Sequence, residues 1–360
     1  MTSFDFGLRT RIVSGPRTFA ELETIARELG FKRTLLVCDE GLVKAGYADR
    51  ASAMLHRAFP FHAFGANPDT AMVEAGRKFA EPLQIDSIVG LGGGSSMDCA
   101  KAINFVLTNG GTMKNYWGYG KASKPMLPAI GIPTTTGTGS EAQSYALISD
   151  AETHVKMACG DAKAAFRVAI LDPELAVSQP VSVRAAAGYD AISHAVESFV
   201  TTKRNAVSAM FAREAWRLLD AAYETVLAEP ENIEALGSMQ IGAHFAGVSI
   251  ENSMLGATHA CANPLTAHYG IMHGVAIGLL LKHVVRWNAN PLYRELHPQL
   301  VERLDEMSRS GGIPRSLSEL AVPHQDIPNL AADAAAQWTG NFNPRPFDAN
   351  GAREIYECAF

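Results

Sequence analysis

Cysteine is scarce in this sequence, which has five among its 360 residues, and none of them forms a CxxC pair. An odd, scattered set of this kind favours reduced thiols, as in cytosolic proteins, over a disulfide framework. The set consists of Cys38, Cys99, Cys159, Cys261 and Cys358. Dense lysine and arginine blocks are lacking too, and the net charge is −6, which argues against a nucleic-acid ligand.

Long apolar runs are also missing. The longest, "GVAIGLLL" at 274–281, is followed by Lys282 and is far shorter than the roughly 20 residues that span a bilayer. The N-terminal stretch "MTSFDFGLRTRIVSG" lacks the apolar centre of a secretory signal peptide. Together these absences predict a soluble, cytoplasmic protein.

The length and the order of patterns predict two domains, because 360 residues exceed the size at which one core keeps growing. Compact apolar runs such as "RTLLVCD" alternate with helical patterns such as "TFAELETIARELG", where Thr18 and Glu21 form a capping box and Gly30 ends the helix. After Pro180, long Ala/Leu-rich helical patterns dominate. We therefore predict an α/β nucleotide-binding domain with a mostly parallel sheet over 1–180, followed by an all-α domain over 181–360.

Glycines are concentrated in "VGLGGGSSMDCAKAI" (89–103), directly after a strand pattern and directly before a helical one. Glycines let a backbone approach a ligand closely, and the free N–H groups and positive dipole end of a following helix suit a phosphate. The alternative is a simple glycine-rich turn capped by Ser95 and Asp98. The candidate residues are Gly92, Gly93, Gly94, Ser95 and Asp98.

Two further loops carry nucleotide-binding chemistry. Asp39 ends the strand "TLLVCD", where nucleotide folds place an acid that accepts hydrogen bonds from the adenine ribose and repels a 2′-phosphate, so NAD is favoured over NADP. The alternative role for Asp39 is an N-cap for "DEGLVKAG". The loop "PTTTGTGSEAQS" (133–144) offers short hydroxyls to a ribose, a carboxamide or a phosphate. They belong to Thr134, Thr135, Thr136, Thr138 and Ser140.

A metal site is indicated by "GYDAISHAVESF" (188–199), because Asp190 and His194 lie four residues apart and share one helix face. Downstream, "GATHACANPLTAHYGIMHGVAIG" supplies His259, His268 and His273, with His259 expected near the end of a helix and His273 opening the next. One Asp and three His suit Fe(II) or Zn(II). Spacing alone does not choose among the three histidines, and any single histidine is more often a surface or hydrogen-bonded residue. Glu197 is either a supporting partner or a charge on the helix face.

Taken together, these segments resemble the iron-containing (group III) alcohol dehydrogenases over nearly the whole chain. The matching pieces, in order, are "GLGGGSSMDCAKAI", "PTTTGTGSEA", "ILDPELAVSQP", "GYDAISHAVES", "HACANPL", "HGVAIGLLLKHVVRWN" and "NFNPRPF". The resemblance implies NAD(P) on the N-terminal sheet and a metal in the helical domain, facing a cleft between the two domains.

By position, the resemblance implies a role for each candidate residue. The implied metal ligands are Asp190, His194, His259 and His273. The implied pyrophosphate loop is Gly92, Gly93, Gly94, Ser95 and Asp98, the nicotinamide-side loop is Thr134, Thr135 and Thr138, and the ribose acid is Asp39.

Two positions depart from the family pattern. Asn263 stands where many alcohol-specific members have a second histidine, four residues after the third ligand, that takes part in proton relay. Because Asn does not titrate, the proton route or the substrate class differs here, and His268 is the candidate substitute relay. Met272 replaces the proline that usually precedes the last ligand, His273.

The expected function is a metal-dependent, NAD(P)-linked alcohol dehydrogenase or aldehyde reductase. It would transfer a hydride between a small alcohol or aldehyde and the nicotinamide, with His273 and His268 as catalytic residues. The expected cofactors are NAD, with NADP less favoured, and Fe(II), with Zn(II) as the alternative; a homodimer or higher homo-oligomer is expected by analogy. Three alternatives stay open: a reductase of an acidic aldehyde or maleylacetate-like substrate, a non-redox sugar-phosphate cyclase, and a catalytically silent NAD-binding protein.

Overall fold

The computed structural model describes residues 3–360, which divide into two compact units. The first unit comprises 7–135 and 140–176, and the second comprises 177–360 with the short segments 3–6 and 136–139. Within residues 3–360, no helix is long and apolar enough to cross a membrane.

The first unit alternates strands and helices, as the sequence predicts. Its elements are β1 (Arg11–Ser14), α1 (Leu22–Glu28), β2 (Thr34–Cys38), α2 (Glu40–Lys44), α3 (Tyr47–Ala53), β3 (Ala58–Phe61), α4 (Thr70–Ala80), β4 (Ser87–Gly92), α5 (Gly94–Asn109), β5 (Gly118–Tyr119), β6 (Ala129–Pro133), β7 (Tyr145–Ser149), β8 (Lys156–Gly160) and β9 (Val168–Leu171). Six strands form a parallel sheet in the order β1-β9-β6-β4-β2-β3. A second sheet has the order β5-β8-β7, with β7 antiparallel to β8.

The core of the first unit lies on both faces of the six-stranded sheet. Leu35 and Val37 of β2 join one buried cluster with side chains of α4 and α5, whereas Leu36 and Cys38 join the other with side chains of α1 and α3. Successive strand residues point to opposite faces, so a strand covered by helices on both sides is apolar throughout. This explains why "TLLVC" is an unbroken apolar run, and the prediction of a mostly parallel sheet is confirmed.

The start of the first helix differs from the prediction. Residues Thr18–Glu21 form a 3-10 turn and the α-helix begins at Leu22, so the predicted capping box is wrong. The Thr18 hydroxyl donates to the Gly15 carbonyl at 2.8 Å, and a distant carboxylate, Asp172, accepts the Phe19 N–H at 2.9 Å. Gly30, with φ +77°, follows the helix as predicted.

The second unit is helical. Over residues 177–360 it contains α6 (Val181–Ser198), α7 (Ala206–Ala228), α8 (Ile233–Ser253), α9 (Ala257–Tyr269), α10 (His273–Asn288), α11 (Leu300–Ser310), α12 (Ile327–Ala335) and α13 (Ala349–Ala359). An α/β unit followed by a helical one confirms the predicted fold class. The three longest helices, α6 to α8, pack together through glycines; a Cβ at Gly242 would lie 2.8 Å from the Leu219 Cγ.

Candidate metal centre and cofactor loops

Helix α6 carries the Asp/His pair that the spacing predicts. Asp190 and His194 are buried, with 7% and 5% of their surface exposed. The Asp190 Oδ1 and the His194 Nε2 lie 3.5 Å apart, as expected for residues four positions apart on one helix face. The fold therefore buries a carboxylate beside an imidazole in an otherwise apolar segment.

Two more histidines reach the same carboxylate from the starts of two other helices. His273 is the first residue of α10, as predicted, and the Gly274 that follows packs tightly on α6: a Cβ there would lie 2.2 Å from the Ala186 carbonyl oxygen. His259 is the third residue of α9, so the expectation that it lies near the end of the preceding helix is wrong. Helix α8 ends at Ser253, and Gly256 precedes a new helix.

The three histidines converge on one oxygen atom of Asp190. The Asp190 Oδ1 lies 3.5, 3.6 and 3.7 Å from the Nε2 atoms of His194, His259 and His273. Donor atoms of Asp190, His259 and His273 all lie within 4.8 Å of one another. For ligands about 2.1 Å from a tetrahedral metal ion, neighbouring donors are about 3.4 Å apart. The three separations from Asp190 fit that requirement, whereas His194 lies outside the group whose donor atoms are all within 4.8 Å of one another.

Two of these atoms need a ligand. Among the described residues, neither the Asp190 Oδ1 nor the His259 Nε2 has a hydrogen-bond partner, although both are buried. Buried polar atoms in folded proteins are nearly always paired, because an unpaired one retains its desolvation cost. A divalent cation would satisfy both atoms, so the residues present fit a metal ion.

Glu197, one turn beyond His194 on α6, holds the ring of His259. Its Oε2 lies 2.5 Å from the His259 Nδ1, and its Oε1 accepts the Thr258 N–H at 2.7 Å. A carboxylate on the remote nitrogen places the proton there and leaves Nε2 as the acceptor, which is the arrangement of a metal-bound histidine. The structure thus gives Glu197 the supporting contact, not a position on an exposed helix face.

The electrostatics of the cluster favour a cation. Burial opposes ionisation of Asp190, but the adjacent His194, His259 and His273 hold the pKa of this carboxyl far below its ordinary value. Burial likewise opposes protonation of His259, but Glu197 and then Asp190 raise the pKa of its imidazole to about 9. Two ionised carboxylates therefore face three imidazoles in a buried space, and positive charge is stabilised there.

The structure does not bring His268 to this cluster. His268 lies at the far end of α9, nine residues after His259, which corresponds to about 13 Å along a helix. Its side chain is exposed, and its Nε2 lies 2.7 Å from the Asp333 Oδ2. Asn263, one turn after His259, donates its Nδ2 to the Gln337 Oε1 at 3.1 Å.

The glycine segment forms the connection from β4 to α5 in the first unit. Gly92 has φ +143°, and Gly93, which has no side chain, stands at the N-cap of α5. A Cβ at Gly92 would lie 2.3 Å from the Ser96 Oγ, so a larger residue does not fit. Ser95 accepts the Asn67 N–H at 3.2 Å. The amides at the start of this 16-residue helix follow a backbone without side chains, as a bound phosphate requires.

Asp98 and Asp39 flank this segment differently. Asp98 accepts a hydrogen bond from the Ser140 hydroxyl at 2.6 Å and lies 3.5 Å from the Lys101 Nζ. Asp39 caps α2, its Oδ1 accepting the Leu42 N–H at 3.1 Å, which is the alternative role that its sequence position allows. Its Oδ2 lies 3.2 Å from the Cβ position of Gly92. One oxygen of Asp39 thus caps a helix while the other faces the glycine segment.

The hydroxyl loop is divided between the two units. Thr134 and Thr135 follow β6, next to the glycine segment: the Thr134 N–H donates to the Gly92 carbonyl at 3.0 Å, and the Thr135 Cγ2 lies 3.2 Å from the Cβ position of Gly93. Thr138 belongs to the segment 136–139 of the second unit. The sequence patterns did not single out Lys101, whose buried Nζ donates to the carbonyl and hydroxyl oxygens of Ser140, both at 2.9 Å. A lysine inside an otherwise apolar helical pattern is the sequence feature that could have identified it.

The two units correspond to two halves of a known protein family. Residues 9–173 match the family described as iron-containing alcohol dehydrogenase, and residues 184–296 match the C-terminal part of the same family. Alcohol dehydrogenase 4 of Schizosaccharomyces pombe is 34% identical, covering 96% of this chain and 86% of its own. The NAD-dependent methanol dehydrogenase of Bacillus methanolicus is 32% identical, with 96% and 97% covered.

A solved structure agrees with this result. The crystal structure of a 1,3-propanediol oxidoreductase superimposes with a TM-score of 0.96 at 31% identity, covering all of both chains. The fold and these matches thus define a dehydrogenase whose first unit is built on a parallel sheet. The chain belongs to the iron-containing alcohol dehydrogenase family, and it is an oxidoreductase with NAD(P)-linked alcohol dehydrogenase or aldehyde reductase activity.

Proposed function

We propose that Asp190, His194, His259 and His273 bind one Fe(II) ion, with Zn(II) as the alternative metal. The convergence of three Nε2 atoms on a single carboxylate oxygen, at 3.5 to 3.7 Å, carries this proposal. Mixed oxygen and nitrogen ligands suit both metals, so availability decides between them.

In the proposed reaction, the bound metal and the nicotinamide would supply the reactive groups, and the chain would position them. When bound, the metal supplies a Lewis acid for an alcohol or carbonyl oxygen, and the nicotinamide accepts or donates the hydride. The chain's own part is positioning: Glu197 keeps the proton of His259 on Nδ1, and Asp190 keeps its charge in a buried site because three imidazoles surround it. His273, at the start of α10, is held against α6 by the close packing of Gly274.

We propose NAD as the cofactor, with its pyrophosphate at Gly92, Gly93, Gly94 and Ser95 and its ribose at Asp39. The support is the helix start at Gly94, the open backbone before it, and the second carboxylate oxygen of Asp39 beside the glycine segment. A carboxylate there repels the 2′-phosphate of NADP. Thr134, Thr135 and Thr138 would serve the nicotinamide side, and Asp98 would act by holding Ser140.

The proton route and the substrate follow from smaller features. Asn263 does not titrate, and the exposed pair of His268 with Asp333 gives a relay role no support, so we assign proton exchange to hydroxyls and water. The substrate proposed is a small alcohol or aldehyde, since the relatives named above are alcohol, methanol and propanediol enzymes. A homodimer in the cytoplasm is proposed by analogy alone.

The test uses anaerobically purified protein loaded with Fe(II), with NADH absorbance followed against a panel of short alcohols, diols and aldehydes. Metal-dependent turnover of at least one member is expected, with a chelated sample inactive. His273→Ala should lose turnover and retain less metal. A fully active, metal-loaded His273→Ala variant would refute the ligand assignment.

A further inference from the structure

The segment "NFNPRPF" places a buried amide, Asn343, between two helices of the second unit. Only 4% of Asn343 is exposed. Its Oδ1 accepts from the Ala257 N–H and from the Asn288 Nδ2, both at 3.2 Å. Its Nδ2 donates to the Asn288 Oδ1 at 2.7 Å and to the Arg345 carbonyl at 2.8 Å. All four hydrogen-bonding capacities of the side chain are used, so its orientation is fully determined.

Ala257 is the first residue of α9, the helix that carries His259. The first N–H groups of any helix have no partner inside the helix, and Gly256, the N-cap here, has no side chain to offer. Asn343 accepts the Ala257 N–H and Glu197 accepts the next one, that of Thr258. A Cβ at Gly256 would lie 2.9 Å from the Asn343 Oδ1 and 3.1 Å from the Glu197 Oε1. The cap of α9 thus comes from two side chains that are distant in sequence.

The same segment is anchored on the last turn of α10. Arg345 donates its Nη1 to the Trp287 carbonyl at 2.7 Å, and its guanidinium lies 3.9 Å from the centre of the Trp287 ring. The paired amides of Asn343 and Asn288 add a second connection next to it. The segment therefore joins the first turn of α9 to the end of α10, and both helices supply candidate metal ligands.

We propose that Asn343 is a positioning residue for the metal ligand His259. The inference rests on the proposed function, in which His259 binds the metal. The hydrogen bonds of Asn343 go to Ala257, Asn288 and Arg345, not to the four ligands, and the bond to Ala257 sets where α9 begins, two residues before His259. A shift of that turn would move the His259 Nε2 relative to the Asp190 Oδ1, now 3.6 Å away, and would disturb its contact with Glu197.

The test measures metal binding by the full-length protein with Co(II) alone as the probe, because its d–d absorption reports ligand geometry. In Asn343→Ala we expect Co(II) affinity to fall about 10-fold, as for other residues that orient metal ligands, together with a shifted d–d spectrum. Asn288→Ala removes the amide that orients Asn343, together with its hydrogen bond to the Tyr293 hydroxyl at 3.0 Å, and we expect a smaller change in the same direction. If Asn343→Ala does not fold, the Co(II) measurement on Asn288→Ala tests the proposal instead.

Asn104 provides a matched control. It is equally buried, with 2% exposed, and its amide makes two hydrogen bonds to the backbone of Leu127, at 2.9 and 3.0 Å, in the first unit. Asn104→Ala should lower the unfolding temperature while leaving Co(II) affinity and spectrum unchanged. If Asn343→Ala and Asn288→Ala lose stability but bind Co(II) as the wild type does, Asn343 is structural only and the proposal is overturned. A wild-type protein that binds neither Co(II) nor Fe(II) would instead overturn the ligand set itself.

Discussion

Replacing Glu197 with glutamine would remove one buried charge from the candidate metal centre without changing the length of the side chain. In the wild type, both carboxylate oxygens of Glu197 accept a hydrogen bond. One accepts it from the Thr258 N–H at 2.7 Å, and the other from the His259 Nδ1 at 2.5 Å. A carboxamide has one acceptor oxygen and one donor nitrogen, so it satisfies only one of these positions. If the amide nitrogen faces His259, the ring proton moves to Nε2, the atom that faces Asp190. If the amide nitrogen instead faces Thr258, it and the Thr258 N–H are two hydrogen-bond donors pointing at each other, and neither is satisfied.

The expected loss of metal affinity follows from the hydrogen bond that Glu197→Gln removes. Glu197 is 3% exposed, so water does not replace the missing acceptor. A hydrogen bond to a charged group contributes about 1.5–3 kcal/mol. Since about 1.4 kcal/mol corresponds to a factor of ten, metal affinity should fall by about 10- to 100-fold. Turnover at limiting Fe(II) should fall with it.

The assay is competition between the protein and a chromophoric chelator for Fe(II) or Zn(II), with turnover measured alongside. Glu214→Gln is the control, because Glu214 pairs with Arg217 on the surface of α7 and lies outside the candidate metal centre. That variant should bind metal as the wild type does. If Glu197→Gln also kept wild-type affinity and turnover, Glu197 would not orient His259 and the reasoning would be wrong.

Three further predictions concern single side chains. His268→Gln should keep metal and turnover near wild type, because His268 is exposed and paired with Asp333; a large fall in NADH-linked turnover would restore it as the relay. Asp39→Ala should lower the free energy of unfolding, measured by urea titration, by about 1 kcal/mol, because the cap of α2 is lost. The same variant should reduce the ratio of kcat/KM for NADH to that for NADPH, because the carboxylate that repels the 2′-phosphate is gone. Burial, and then Lys282, lower the pKa of His283 from 6.5 to about 4. The unfolded chain therefore binds a proton at His283 more readily than the folded chain does. The free energy of unfolding should fall as the pH drops from about 6.5 to 4. In urea unfolding at pH 5 and pH 8, His283→Leu should remove much of that difference, because among the described residues neither ring nitrogen has a hydrogen-bond partner.

Much of the first unit was predictable because its signals are local. A short apolar run such as "TLLVC" favours a strand buried on both faces, and the helices between such strands imply a parallel sheet, as the structure confirms. The spacing of Asp190 and His194 likewise predicts one shared helix face, which the 3.5 Å separation confirms. The capping box at Thr18 failed because the hydroxyl and the N–H of Thr18 both donate to the Gly15 carbonyl, at 2.8 and 3.3 Å. The Phe19 N–H is accepted instead by Asp172, 153 positions away in the chain.

By itself, the sequence determined the class of fold, the position of the glycine segment and the Asp190/His194 half of the candidate metal centre, since each depends on residues within about one turn or one strand. Only the tertiary structure separated His259 from His268, because both lie on α9 and their spacing carries no information about which end meets α6. It alone also brought Asn343 to the start of α9, 86 positions from Ala257. The physical reason is that a helix end takes its missing hydrogen-bond partners from whatever packs against it, and packing between distant segments is decided by the whole fold.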